Sequence, residues 1–477
     1  MVLTRGCPMP RILTHRGAAL LLLIAMTSLA RAAGADLYSA SAEYQKGDYT
    51  QALSDYLTLA ELGQPQAQFN VAVMYKTGRG VVPSDIHAYA WAMLAAENGQ
   101  AGAKELADKI RPNLAPGSEQ IAGWFTAPYT PAALNERLLP DASRPGSDAA
   151  AKQREWVKQC AVVNVYPWVY PDEARDKGME GNVFIAFTLM PDGRARLPRA
   201  ILDVPQGVFG AAARTGVLND GFAPRPAGSQ PIQCVAFYRF VITRGTSMSD
   251  YPRLLAYLGK VRRSAQGGDP ASQLMYGMLL VGLPQLQKTS SAGLPWFVRA
   301  AQAGIPAAQF EVGYSLLVGI ACARDPGKAL KWLHMGADQN DPNAEVTLAV
   351  AAMKGAPGFG DVAQAKSWLE QAAAQGNQDG ELYLSALLAA APEPGLRNPQ
   401  QALALLQKIS HYVADDPTAL EIQAAAQAAG GEFAEAALTE KKAIAKAHRL
   451  GWDVSPLQAR LVIYQAGKPW YGDLLDF

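Results

Sequence analysis

The residues that could do chemistry in this chain are few, and their spacing limits what each can do. Cys160 and Cys234 could join as a disulfide in an oxidising compartment, or lie apart as two buried thiols. Cys322, within Gly319-Ile320-Ala321-Cys322-Ala323-Arg324-Asp325, reads as a free thiol in a loop, with pairing to another chain as the other option. The histidines are His15, His87, His334, His411 and His448, and no two stand at a metal-ligand spacing. Gly78-Arg79-Gly80 lacks the Lys-Ser/Thr and the strand–loop–helix setting of a phosphate loop. Asp415-Asp416 ahead of Pro417 reads as a turn and a helix start. No Ser–His–Asp or Cys–His grouping can be defended. The expectation is therefore a non-enzyme with no metal and no cofactor, acting through its surfaces.

Composition agrees with that direction. The 477 residues carry 43 Lys+Arg against 42 Asp+Glu, which excludes a protein that binds nucleic acid through a strong basic field. A hydrophobic share of 49% with 18% charged residues excludes disorder over most of the chain. Arg5, Arg11 and Arg16 precede the apolar run Gly17 to Ala30, and Ala30-Arg31-Ala32 follows as a small-x-small cleavage site. This is the layout of an export signal over 1–32, and the run is short of the ~20 residues a bilayer span needs. Cleavage after Ala32 removes four Arg and no acid, turning the net charge from +1 to −3. The mature protein is then expected to be exported, with no membrane span. The alternative is a retained N-terminal helix in the inner membrane.

Most of the remaining chain repeats with a period of 36. Gly268, Gly304, Asn340 and Gly376 keep that spacing, as do Trp296, Trp332 and Trp368. Gln273, Gln309, Glu345 and Glu381 form another column, and Gly277, Gly313, Ala349 and Ser385 a small-residue one. The unit reads as two helices, closed by a Gly or Asn in a left-handed C-cap, with the Trp column in the core between helices. One unit cannot bury its apolar face alone, so neighbours must stack. The N-terminal unit carries Ala67-Gln68, Tyr75, Gly78-Arg79-Gly80-Val81, Trp91, Ala95-Ala96 and Gly99. These columns resemble the Sel-like branch of the tetratricopeptide-type repeats. The expected blocks are 33–110 and 247–415, with 416–477 as one tetratricopeptide-like unit and a terminal cap helix.

The blocks are interrupted. Six prolines between 111 and 150 suggest a semi-rigid linker with one helical piece. Beyond it, Val183, Ile185, Phe187 and Leu189 alternate onto one face of a strand, and Met190-Pro191-Asp192-Gly193 supplies a hairpin turn. A helix through Phe209, Ala212, Ala213, Gly216 and Val217 follows, then a strand from Pro231 to Thr243. With Tyr170-Pro171, Ala174-Arg175, Gly178, Gly181, Phe222 and Pro224, this order over 151–246 resembles the C-terminal domain of the TonB family. Where family members usually carry an aromatic two residues before the Phe, this chain has Asp220. It also lacks the long Glu-Pro/Lys-Pro rod before the domain.

The fold expected is mainly α: a Sel-like solenoid with an inserted small α+β TonB-like domain. The resemblance implies a periplasmic scaffold or adaptor for other envelope proteins, outer-membrane proteins among them. The solenoid's concave face would hold one partner. An extended peptide of another would pair with the edge strand Gln233, Val235, Phe237, Arg239 and Val241. The competing reading of that strand is an edge covered by the neighbouring repeats. Two further readings stand beside the scaffold. One is an energy transducer for outer-membrane transport, which needs an uncleaved N-terminal helix. The other is an envelope enzyme with a site in a repeat groove.

Overall fold

Helix boundaries in this chain are written by short polar side chains. In the computed structural model, Asp36, Ser84, Asp325, Asp341, Asp361 and Asn377 each accept a backbone N–H of the first turn they precede. The model describes residues 35–141, 158–167, 169–204, 207–226, 229, 231–240, 252–282, 292–414 and 416–475. The expected export signal, Val241 and Asp415 lie outside these residues.

The N-terminal repeats are α1 (Leu37–Lys46), α2 (Tyr49–Glu61), α3 (Pro65–Thr77), α4 (Asp85–Glu97) and α5 (Ala103–Ile110). The segment expected as a linker carries α6 (Ser118–Thr126) and α7 (Pro131–Arg137). Its prolines do not prevent helix there, because Pro131 takes the first helical position, where no amide bond is lost, after Thr130 as N-cap. The second run of repeats comprises α10 (Pro252–Gln266), α11 (Pro270–Gly282), α12 (Leu294–Gln302), α13 (Pro306–Val318), α14 (Pro326–Asp338), α15 (Pro342–Met353), α16 (Val362–Ala374), α17 (Gln378–Ala390), α18 (Pro399–Lys408), α19 (Pro417–Ala429), α20 (Phe433–Arg449) and α21 (Ser455–Gln465).

The repeat columns have physical jobs. Gly268, Gly304, Asn340 and Gly376 all take positive φ, between 61° and 96°, where the chain turns from one unit to the next. The small column permits close approach: a Cβ on Gly313 would stand 2.8 Å from Leu333 Cγ. Gln68, Gln273 and Gln309 donate to the carbonyls of Ala60, Ala265 and Ala301 in the preceding helix. Trp332 and Trp91 are core, while Trp296 and Trp368 are half-buried. The first helices of successive units, α13, α15, α17 and α19, contact one another in series, so this row forms the inside of the curve.

The two repeat blocks join directly. Leu37 N donates to Ala303 O at 3.1 Å, and Gln302 Nε2 to Leu62 O at 2.8 Å. The segment around α7 straps the joint, with Trp332 Nε1 donating to Leu138 O at 2.9 Å and Lys328 Nζ to Asn135 O at 2.7 Å.

The inserted domain comprises β1 (Val162–Asn164), α8 (Asp172–Asp176), β2 (Gly181–Leu189), β3 (Ala195–Val204), α9 (Gly210–Asn219), β4 (Gly221–Phe222) and β5 (Ile232–Phe240). Strands β3-β2-β5 make an antiparallel sheet, and β1 pairs with β4. Val183, Ile185, Phe187 and Leu189 share one core with Phe209, Ala213 and Val217 of α9. The opposite face carries Phe184, Ala186, Leu197 and Ile201, which belong to the core of the repeats. Both faces of the sheet are therefore buried, one by its own helix and the other by the solenoid.

Candidate protein-interaction site

The expected edge strand is β5, at one margin of the described three-stranded sheet. Its register places Gln233 opposite Thr188, Val235 opposite Ala186, Phe237 opposite Phe184 and Arg239 opposite Asn182, and Val235 lies on the face directed to the repeats. Val235 is half-buried and packs against the solenoid core, and Arg239 is half-exposed. Any pairing at this margin would thus be made by main chain, with Val235 turned to the repeats and Arg239 part-exposed near the strand's end.

Two contacts hold β5 in place. Cys234 is joined to Cys160 with Cα atoms 5.6 Å apart, tying the strand to the segment before β1. Tyr238 Oη donates to Asp220 Oδ2 at 2.5 Å, and Tyr166 N donates to Asp220 Oδ1 at 2.7 Å. Asp220 is buried, and burial followed by Asp220 itself drives the Tyr238 phenol far above its ordinary value. The Asp that departs from the family pattern is therefore the polar anchor between β5 and the chain leading to the domain. Cys322 is free and buried, and burial pushes its thiol up to about 12.

The strongest polar contacts of the domain go to the inner row of helices. Arg214, 1% exposed in α9, pairs with Asp379 Oδ1 at 3.2 Å and Asp416 Oδ2 at 2.8 Å. Its guanidinium lies 4.5 Å from the centre of the Tyr412 ring, whose hydroxyl donates to Asp379 at 3.1 Å. Burial raises the Asp379 carboxyl, against the pull of Arg214. Asp416 meanwhile caps α19 by accepting from Thr418 N at 3.0 Å. On β3, Arg199 donates to Thr347 Oγ1 at 2.9 Å, and Asn343 Nδ2 reaches Ile201 O at 3.4 Å. Isolated buried charges are costly, so each arginine fixes the domain where its partners stand.

The concave face expected to hold a partner is thus occupied by the chain's own inserted domain. Arg214, Arg199, Asp379 and Asn343 were not singled out in the sequence. The one signal was that Asn343 and Asp379 keep the 36-residue spacing at the starts of α15 and α17. Among the described residues, no group of His, Cys, Asp and Glu is placed to hold a metal ion. No described helix is long and apolar enough to cross a membrane.

Known families match both parts. The family described as Gram-negative bacterial TonB protein C-terminal matches residues 166–242. The Sel1 repeat matches 65–100, 306–341, 343–377 and 386–410. Similar solved structures include a Sel1 repeat protein from Oxalobacter formigenes, at 16% identity, covering 78% of this chain and 98% of that one, with a TM-score of 0.31. Another is c5321, a protective antigen of uropathogenic Escherichia coli strains displaying an SLR fold. It is 20% identical, covering 90% of this chain and 73% of that one, with a TM-score of 0.35. No curated protein matches the chain.

Proposed function

From a chain that carries a TonB-type C-terminal domain and Sel1 repeats, we propose a periplasmic protein-interaction scaffold in which the solenoid is the mount and the TonB-type domain the part that meets the partner. The supporting observation is the buried Arg214–Asp379–Asp416 cluster, which fixes the domain inside the curve of the repeats. A solenoid whose inner surface is filled in cis has little left there for a second protein. An envelope protein, outer-membrane proteins included, would add an extended segment along β5. Main-chain hydrogen bonds would supply the affinity, because Val235, in the middle of the strand, is packed against the solenoid.

The test is site-specific photocrosslinking of the full-length protein in intact cells. A crosslinking side chain at Arg239 is expected to capture an envelope protein that one at the exposed Lys441, on α20, does not. Capture from Lys441 with none from Arg239 would place the partner on the repeats and end the β5 reading. The periplasmic placement has its own check: the purified protein should begin at Ala33.

A further inference from the structure

A cavity of about 200 Å³ lies between the sheet and helices α11, α12 and α13. Phe184 and Val235 line it from the sheet, and Met278, Phe297, Tyr314 and Glu311 from the solenoid. An apolar hole of ~150 Å³ accommodates benzene, so this one admits a body somewhat larger. Glu311 is the only carboxylate in its lining among the described residues. That carboxyl makes no hydrogen bond or ion pair among the described residues. Burial, then Asp341, raises it to about 8.

Packing gives no reason for an acid at this position. The column through Glu311 at the 36-residue period reads Met275, Glu311, Thr347 and Tyr383. Thr347 is occupied by Arg199, whereas Glu311 faces a cavity with no partner of its own. The rings of Phe184, Phe297 and Tyr314 share the lining with it. Aromatic rings with a nearby carboxylate suit one class of ligand. Ring faces attract a cation, and the carboxylate pairs with it. The other charged groups near Glu311 are Asp341, whose carboxyl burial raises to about 6, and Arg199, stacked 5.8 Å from the Tyr314 ring centre and held by Thr347.

We propose that this cavity binds a small organic ammonium ion, with Glu311 as its counter-ion and Phe184, Phe297 and Tyr314 around its alkyl groups.

The test titrates the full-length protein by calorimetry with choline and with its uncharged isostere 3,3-dimethylbutan-1-ol. Choline is expected to bind saturably at pH 8, at least tenfold more tightly than the alcohol. Its affinity should fall severalfold at pH 6, where Glu311 holds its proton. Glu311→Gln keeps the shape, and its far-ultraviolet circular dichroism should match the parent. It should bind the two compounds equally. Val235→Phe fills the hole and should remove binding of both. No saturable choline binding by the parent, equal binding of choline and alcohol, or an unchanged preference in Glu311→Gln would each overturn the proposal.

Discussion

Replacing Arg214 by Met is the sharpest test of how the inserted domain is held. The side chain is removed but its volume is largely kept, leaving Asp379 and Asp416 facing each other at 4% and 1% side-chain exposure. Breaking a buried pair by removing one partner costs about 3–5 kcal/mol. An independent bound comes from proton uptake. A carboxyl of ordinary value ~3.9 that must be neutral in the folded state costs ~1.36 kcal/mol per pH unit above that value, or ~4 kcal/mol at pH 7. The two routes agree. The second adds a signature, because the same neutralisation costs only ~1.5 kcal/mol at pH 5. In the variant the folded-state carboxyl lies above its unfolded value, so stability falls as pH rises. Arg214→Met should therefore be much closer to the parent at pH 5 than at pH 7. A chain of this size need not unfold in one step, so the assay is hydrogen exchange resolved at β2 and α9, with α1–α5 as internal control. Restoring the cluster's parental net charge of −1 with Arg214→Met/Asp379→Asn, which leaves the Asp416 cap of α19 intact, should recover more than half the loss. A loss below about 1 kcal/mol in Arg214→Met, equal at both pH values, would refute the view that this pair anchors the domain.

Other outcomes follow from the same physics. Glu345 is fully buried, accepts from Gln375 Nε2 at 2.9 Å, and has a second oxygen without a partner. Burial, then Asp341, pushes its carboxyl up to about 8. Glu345→Gln should raise stability by about 2–3 kcal/mol at pH 7. That gain should vanish below pH ~4.5 and level off above pH 8, as read by urea titration. The Cys160–Cys234 cross-link closes a separation of 74 residues, so Cys160→Ser/Cys234→Ser should cost about 4 kcal/mol and raise exchange in β5 first. Asn340 holds φ 61° at the end of its unit, so Asn340→Ala should lower stability by ~1 kcal/mol, while Asn340→Gly should be neutral or better in thermal unfolding.

How much of this was legible in the sequence varies with the range of the interaction concerned. Helix starts, turn glycines and the Gln column depend on contacts within a unit or with the next one. The 36-residue period therefore displayed them: Gly268, Gly304, Asn340 and Gly376 mark unit ends in the sequence as in the structure. The hairpin around Asp192-Gly193 and the inward face of β2 were legible for the same reason, since strand alternation is local. Between 111 and 141 proline density reads as a linker with one helical piece, whereas the chain forms two helices, because Pro131 sits at a first helical position and continues the chain into α7.

Docking of the domain could not be read this way. Arg214 and Asp379 are 165 positions apart, and Arg214 sits among Ala211, Ala212, Ala213 and Gly216 as one charged residue on a small-residue helix. Nothing local distinguishes a buried cation from a solvated one. Its environment is set by residues that approach only after the solenoid has curved around the sheet. The second apolar face of β2, with Phe184 and Ala186, was visible as composition, but its covering depends on the radius of that curve. The sequence by itself determined the repeat, the two-layer insert and the order in which they occur, because each rests on neighbours along the chain. Tertiary structure alone decided that the insert fills the concave face, that Glu311 faces a cavity, and that Asp416 is an ion-pair partner as well as a cap. Each of those depends on burial and charge pairing between segments far apart in the chain.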